Sequence, residues 1–145
     1  MQDEMSTLIA EVYEAAGALR MSGEDIAAQE NVTLPQWHVM DAITDPSTTV
    51  ARAARRMGQS RQAVQKTVNE MVATGLLELH PNPDHKTSPL IALTPSGLEV
   101  QERLWQRAAK SHEVRFGALP QRDLEITRAT LRQMTQLTYE VHGPK

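Results

Sequence analysis

Five polar side chains, Arg61, Gln62, Gln65, Lys66 and Asn69, fall at i, i+1, i+4, i+5 and i+8, a spacing that gathers them on one stripe of a helix. Val64, Val68 and Met71 occupy the opposite stripe and predict its buried side. The polar stripe can do edge-on hydrogen bonding to bases. Arg forks onto guanine O6 and N7, and Gln or Asn pairs with adenine N6 and N7, each good pair contributing about 1–3 kcal/mol of discrimination. Just ahead, Ser60 is an N-cap candidate, and the helix N-terminus it opens can hold a phosphate. The same residue types also cover ordinary solvent-facing helices, so the surroundings of this stripe matter.

Those surroundings are basic. The 145-residue chain carries a formal net charge of −3, but residues 1–47 hold nine acidic side chains and one basic, Arg20. Between Pro46 and Asn69 there is no acid at all, while Arg52, Arg55, Arg56, Arg61 and Lys66 all fall there. A local basic window in an acidic chain is what a phosphate-binding face needs, and a uniform excess would point instead to a nonspecific polycation. Arg52, Arg55 and Arg56 can touch a nucleic-acid backbone or pair with the acidic first third.

Other chemistries lack their residues. Zero Cys removes disulfides, thiolate catalysis, iron–sulfur clusters and Cys-based zinc sites. There is no glycine-rich phosphate loop, no Gly-x-Ser-x-Gly and no His-Glu-x-x-His, since His112-Glu113 runs on into Val114, Arg115 and Phe116. No enzymatic activity and no cofactor are expected. Glu24, His38 and His112 are the ligand types of a metal site, but they are too scattered for a motif, and no metal is expected. Trp37 and His38 stand side by side and could line a small-molecule cavity. No stretch approaches the roughly 18 apolar residues of a membrane span. The first residues are acidic where a secretory signal is basic, so the expected location is cytoplasmic, with no membrane partner.

The elements that must position these residues follow from periodicity. Met5, Leu8, Ile9, Val12, Ala15, Ala16 and Leu19 predict one long amphipathic helix over roughly the first 28 residues. Thr33 as N-cap, Pro35 in the first turn, and Trp37, Val39, Met40 and Ile43 predict a second helix ending near Asp45-Pro46. Residues 48–50 read as a short extended piece or cap. Val50, Ala53, Ala54 and Met57 predict a third helix stopped by Gly58, and the helix after Ser60 is stopped by Gly75. Two helices joined by a short turn containing Gly form a helix-turn-helix pattern. Residues 76–80 and 90–93 then alternate as two strands, joined by a tip, 81–89, whose three prolines keep it out of a ladder. Thr94-Pro95 opens a helix toward Val114, and after a break at 117–120 a last helix carries Leu124, Leu131, Met134 and Val141 near a seven-residue rhythm.

In four ordered blocks, residues 33–97 resemble the MarR family of winged helix-turn-helix transcriptional regulators. Leu34-Pro35-Gln36-Trp37-His38-Val39-Met40 resembles that family's second helix, and the run from Thr49 through Arg61-Gln62-Ala63-Val64 resembles its helix-turn-helix. Glu70-Met71-Val72-Ala73-Thr74-Gly75-Leu76-Leu77 resembles the run into the wing; Asp84-His85-Lys86 and Leu93-Thr94-Pro95-Ser96-Gly97 resemble the wing and the helix beyond it. The resemblance implies a mainly α fold with a small β-hairpin wing. It implies a single domain over 1–145, with a DNA-binding lobe at 33–97 and dimerisation helices at 1–30 and 98–145. It implies a homodimer on a pseudo-palindromic site in double-stranded DNA, and a repressor released by a small-molecule effector, an aromatic acid in some members, bound near Trp37 and His38. Base contact carries over to Ser60, Arg61, Gln62, Gln65 and Lys66, with Asn69 on the same stripe, and the wing role to Lys86; the hairpin tip itself offers Asn82, His85 and Lys86 to a minor groove. Lys86 stands where the family usually has Arg, which replaces a planar fork by a point charge. A winged-helix module that binds another protein, and a regulator that requires a metal, are the alternatives.

Overall fold

The computed structural model describes residues 1–143. Six helices and one hairpin follow in the order α1 (Glu4–Ala28), α2 (Leu34–Ala42), α3 (Val50–Met57), α4 (Arg61–Ala73), β1 (Leu77–His80), β2 (Leu90–Leu93), α5 (Pro95–Phe116) and α6 (Gln121–His142). Short side chains set the helix starts. Asp3, Thr33, Thr49, Ser60 and Thr94 each accept a hydrogen bond from a first-turn N–H, and Thr33 and Gln36 close a reciprocal capping box; such caps contribute about 1 kcal/mol each. Gly58, at φ 63°, ends α3 in the left-handed region that glycine enters without strain.

The second helix stops earlier than its apolar spacing suggests. It ends at Ala42, and Ile43 leaves the helical region at φ −86° and ψ 88°. Two local forces end it. Pro46 disfavours helical geometry at the residue before it, and the Asp45 carboxylate accepts hydrogen bonds from the Ser47 N–H at 2.8 Å and hydroxyl at 2.6 Å, which folds the chain into a turn.

The core sits among α2, α3, α4, the hairpin and the first half of α5. Val39, Met40, Ala53, Ala54, Val64, Val68, Met71, Leu77, Ile91 and Leu104 are all buried. The strands pair antiparallel in the register Leu77 to Leu93 and His80 to Leu90. Thr49 forms an isolated antiparallel bridge to Leu90, and the Ile91 N–H donates to the Thr48 carbonyl at 2.9 Å, so the extended piece before α3 is tied to the edge of β2. Gly97 allows α5 to lie directly against the end of the preceding helix–strand turn, because a Cβ there would collide with the Leu76 carbonyl oxygen.

The terminal helices are different. Only Ile26 and Ala27 of α1 are buried, and no residue of α6 is. Leu124 and Leu131 remain 40% and 39% exposed, and Val141 78%. Polar ties hold α5 to its neighbours. Glu30 accepts from Arg103 Nε at 2.6 Å and Arg107 Nε at 2.7 Å, and Asp41 accepts from Gln101 Nε2 at 3.1 Å and Trp105 Nε1 at 3.0 Å. The two guanidiniums hold the Glu30 carboxyl below its ordinary range, with hydrogen bonding from Arg103 the largest cause.

Candidate nucleic-acid interface

On α4 the buried side chains Val64, Val68 and Met71 turn Arg61, Gln62, Gln65, Lys66 and Asn69 to solvent. Gln65 Nε2 donates to Asn69 Oδ1 at 2.9 Å, an i, i+4 pair that holds the two amides in line along the exposed stripe. Arg61, Gln62 and Lys66 have no hydrogen-bond or ion-pair partner among the described residues. Ser60 caps the helix through Oγ, which accepts from the Ala63 N–H at 3.2 Å. Arg61, Gln62 and Gln65 line one side of a groove of about 240 Å³, and Thr49, Val50 and Thr87 to Pro89 line the other. The start of α3, the face of α4 and the wing base therefore open onto one surface.

The wing tip is an ordered turn despite its prolines. Asn82 Nδ2 donates to the Ser88 carbonyl at 2.9 Å, and Asn82 Oδ1 accepts from the Asp84 N–H at 3.1 Å. Asn82 is thus occupied by its own loop. His85 and Lys86 are exposed. On the first strand of the wing, His80 pairs with Glu78 at 3.0 Å.

The three arginines of α3 divide. Arg56 donates through Nη1 to the Ala42 carbonyl at 2.7 Å and to Thr48 Oγ1 at 3.1 Å, and through Nη2 to Asp45 at 3.0 Å. Arg52 donates to Ser47 Oγ at 2.6 Å and lies 4.0 Å from Asp45. Hydrogen bonds from Ser47, then from Arg56, push the Asp45 carboxyl down to about 2. These two side chains lock the turn between α2 and α3. Arg55 has no partner among the described residues and faces a groove of about 640 Å³ shared with Asn82, Asp84 and His85 of the wing. A free cation there can meet a phosphate.

Trp37 and His38 lie elsewhere, in a cleft of about 650 Å³ between α1 and α2. His38 is exposed and Trp37 is 9% exposed; among the described residues Trp37 Nε1 is the one buried side-chain polar atom without a hydrogen-bond partner. Tyr13, Arg20 and Glu24 of α1 complete the cleft. Sequence reasoning named Glu24 only as a metal-ligand type and missed Tyr13 and Arg20. Their spacing places them on one helix face, but nothing in α1 alone says which helix that face meets. Glu24 and His38 share this cleft, whereas His112 stacks near Phe116 on α5, at a ring separation of 6.1 Å. Among the described residues no three His, Asp or Glu side chains gather to hold a metal ion.

A helix-turn-helix whose second helix exposes a polar stripe, followed by a hairpin that flanks the same groove, defines a winged helix-turn-helix protein. The chain belongs to the MarR family. A model of that family matches residues 30–86. An uncharacterised protein of Mycobacterium tuberculosis (strain H37Rv) is 43% identical over 134 residues, covering 92% of this chain and 94% of the relative. Among solved structures, a mutant MarR from E. coli complexed with operator DNA superposes with a TM-score of 0.74 at 17% identity, covering 92% of this chain and 99% of that one. CouR from Rhodococcus jostii RHA1, bound to p-coumaroyl-CoA, superposes with a TM-score of 0.77 at 19% identity, covering 91% and 92%.

Proposed function

We propose that the protein is a dimeric, sequence-specific transcriptional regulator of double-stranded DNA, acting as a repressor that a small-molecule effector releases. The observation that carries this reading is the face of α4: five polar side chains free of the core, in a window without acids, beside a wing that ends in Lys86. In this reading Arg61, Gln62, Gln65, Lys66 and Asn69 read base edges in the major groove, and Ser60 with the N-terminus of α4 meets a phosphate. His85 and Lys86 enter the flanking minor groove, whose negative potential draws cationic side chains. Arg55 contacts the backbone. The segment 33–97 forms the DNA lobe, and the helices at 1–30 and 98–145 join it to a second copy.

Dimerisation has its own support. Met5, Ile9 and Leu19 of α1 and Leu124, Leu131 and Val141 of α6 are exposed in the single chain, and apolar helix faces of this extent are covered in stable proteins. Two copies related by a two-fold axis present two copies of α4 to two half-sites, which suits a pseudo-palindromic operator. A dimer seated on a promoter blocks other proteins from it, so repression follows directly from occupancy.

The effector reading rests on the Trp37 cleft. Tyr13, Leu34 and Pro35 supply apolar walls and Arg20 a cation, while the buried, unpartnered Trp37 indole N–H becomes a donor to a ligand only when side chains shift to open it. An aromatic acid has that combination of groups. Such a ligand acts by preferring one spacing of the two copies of α4 over another.

Fluorescence anisotropy of the protein on duplex DNA from upstream of its own gene, beside a scrambled duplex, at two salt concentrations, tests the reading. Tight, salt-sensitive and selective binding is the expected result. Absence of salt-dependent binding to either duplex at low salt, with and without zinc, overturns it in favour of a winged helix that docks a protein.

A further inference from the structure

A second concave site lies on the opposite face of α1 from the Trp37 cleft. Ser22, Asp25, Ile26 and Gln29 form one side of a groove of about 500 Å³, and α5 forms the other. Arg103, Arg107, Lys110 and Arg115 all project into it from α5. The carboxylates near these four cations are Asp25, Glu99 one turn before Arg103, and, at the inner end, Glu30, whose side chain is only 7% exposed.

We propose that this groove binds a small phosphorylated anion carrying at least two negative charges. Glu30 engages Arg103 and Arg107 through their Nε atoms, which fixes both guanidiniums while leaving the terminal nitrogens of Arg103 without a protein partner among the described residues. Gln29 Oε1 accepts from Arg107 Nη1 at 2.7 Å, and Ser22 Oγ accepts from Arg115 Nη1 at 2.7 Å, so those two are oriented as well. Lys110 has no partner among the described residues. Arg103 presents a pre-oriented fork beside the unpartnered Lys110 in an open, cationic centre, and a fork of this kind matches the oxygens of a phosphate bidentately.

Chemistry separates this groove from the other surfaces of the molecule. The free terminal nitrogens of Arg103 and the unpartnered Lys110 suit an anion with several oxygens, which a phosphate supplies and a monocarboxylate of the kind suited to the Trp37 cleft does not. Apart from Ile26 the groove is lined by charged and polar side chains, whereas the faces that suit a second copy are the apolar ones of α1 and α6. None of its residues lines the groove of Arg61, Gln62 and Gln65. Its position also suggests what occupancy does, a step that rests on the DNA-binding reading above. Glu30 lies on the connection between α1 and α2, and an anion on the free terminal nitrogens of Arg103 adds a partner to the tie between α5 and that connection.

Isothermal titration calorimetry of the full chain with inorganic pyrophosphate, in the absence of DNA, tests the site directly. Saturable binding is expected, weakened about tenfold by Lys110→Gln and by Arg115→Gln, the loss of roughly one charge-assisted contact. Lys110→Gln removes no contact within the protein and leaves folding intact. Arg128→Gln on α6 serves as a control and leaves the affinity unchanged. Heat reproduced by sodium chloride at matched ionic strength, or an affinity that Lys110→Gln does not alter, overturns the proposal. Equal binding of citrate overturns the phosphate assignment. Because no DNA is present, failure of operator binding elsewhere leaves this result standing.

Discussion

The middle of the chain and its two ends use their apolar residues in opposite ways. In α2, α3, α4 and the hairpin, Val39, Met40, Val64, Val68, Met71, Leu77 and Ile91 bury one another, and the polar side chains left outside form the α4 stripe. In α1 and α6 the apolar side chains of comparable number, Met5, Ile9, Leu19, Leu124, Leu131 and Val141, face outward. The contrast is that one region completes its core within a single chain, while the other leaves an apolar face open, the face assigned above to the proposed dimer. A reading face built on a finished core is rigid before DNA arrives. In the proposed dimer its distance from a second such face is set by the terminal helices, and a ligand would act there.

The sharpest way to break the comparison is to charge the unfinished core. Leu124→Asp with Leu131→Asp is expected to convert a dimer into a monomer in sedimentation and to weaken binding to a two-half-site duplex by roughly 100-fold or more, because the second α4 is no longer held at high effective concentration. An unchanged sedimentation coefficient would place the dimer contact elsewhere. The corresponding cut in the finished core is Met71→Ala, which should lower the unfolding free energy by about 2–5 kcal/mol in urea titrations, with the oligomeric state at urea concentrations below the transition unaffected.

Smaller changes probe the reading face. Arg61→Ala is expected to cost about 1–3 kcal/mol on the specific duplex and much less on a scrambled one; equal losses on both would make it a backbone contact. Lys86→Ala should weaken binding to both duplexes and reduce the slope of log affinity against log salt by about one unit.

The smallest effect concerns the turn that holds α3 in place. Asp45 has its carboxyl lowered to about 2, so it titrates below its unfolded value of about 4. Its contribution to stability is complete above pH 4 and fades as the pH falls toward 2. Asp45→Asn is expected to flatten the dependence of Tm on pH across that window, and an identical slope in both proteins counts against the lock formed with Ser47 and Arg56.

Much of this was legible in the residues. The caps Thr33, Ser60 and Thr94, the stops at Gly58 and Gly75, and the phasing of Val64, Val68 and Met71 against Arg61, Gln65 and Asn69 all act within one or two helical turns, so local spacing is enough to see them. The early end of α2 was less visible, because the apolar run continues to Ile43 while the turn is made by Asp45 and Ser47. Arg52, Arg55 and Arg56 were indistinguishable as sequence, three cations on one short helix.

The sequence by itself determined where the helices begin, which face of α4 points outward, and that this face lies in a window free of acids, since these depend on near neighbours in the chain. Only the tertiary structure decided that Arg56 is spent on the Ala42 carbonyl 14 residues away while Arg55 stays free, that Tyr13 and Arg20 join Trp37 and His38 in one cleft, and that Glu30 meets Arg103 and Arg107 across more than 70 residues. The physical reason is the range of the interaction. Capping and periodicity are local, whereas the partner of a long charged side chain is chosen by the packing that brings distant helices together.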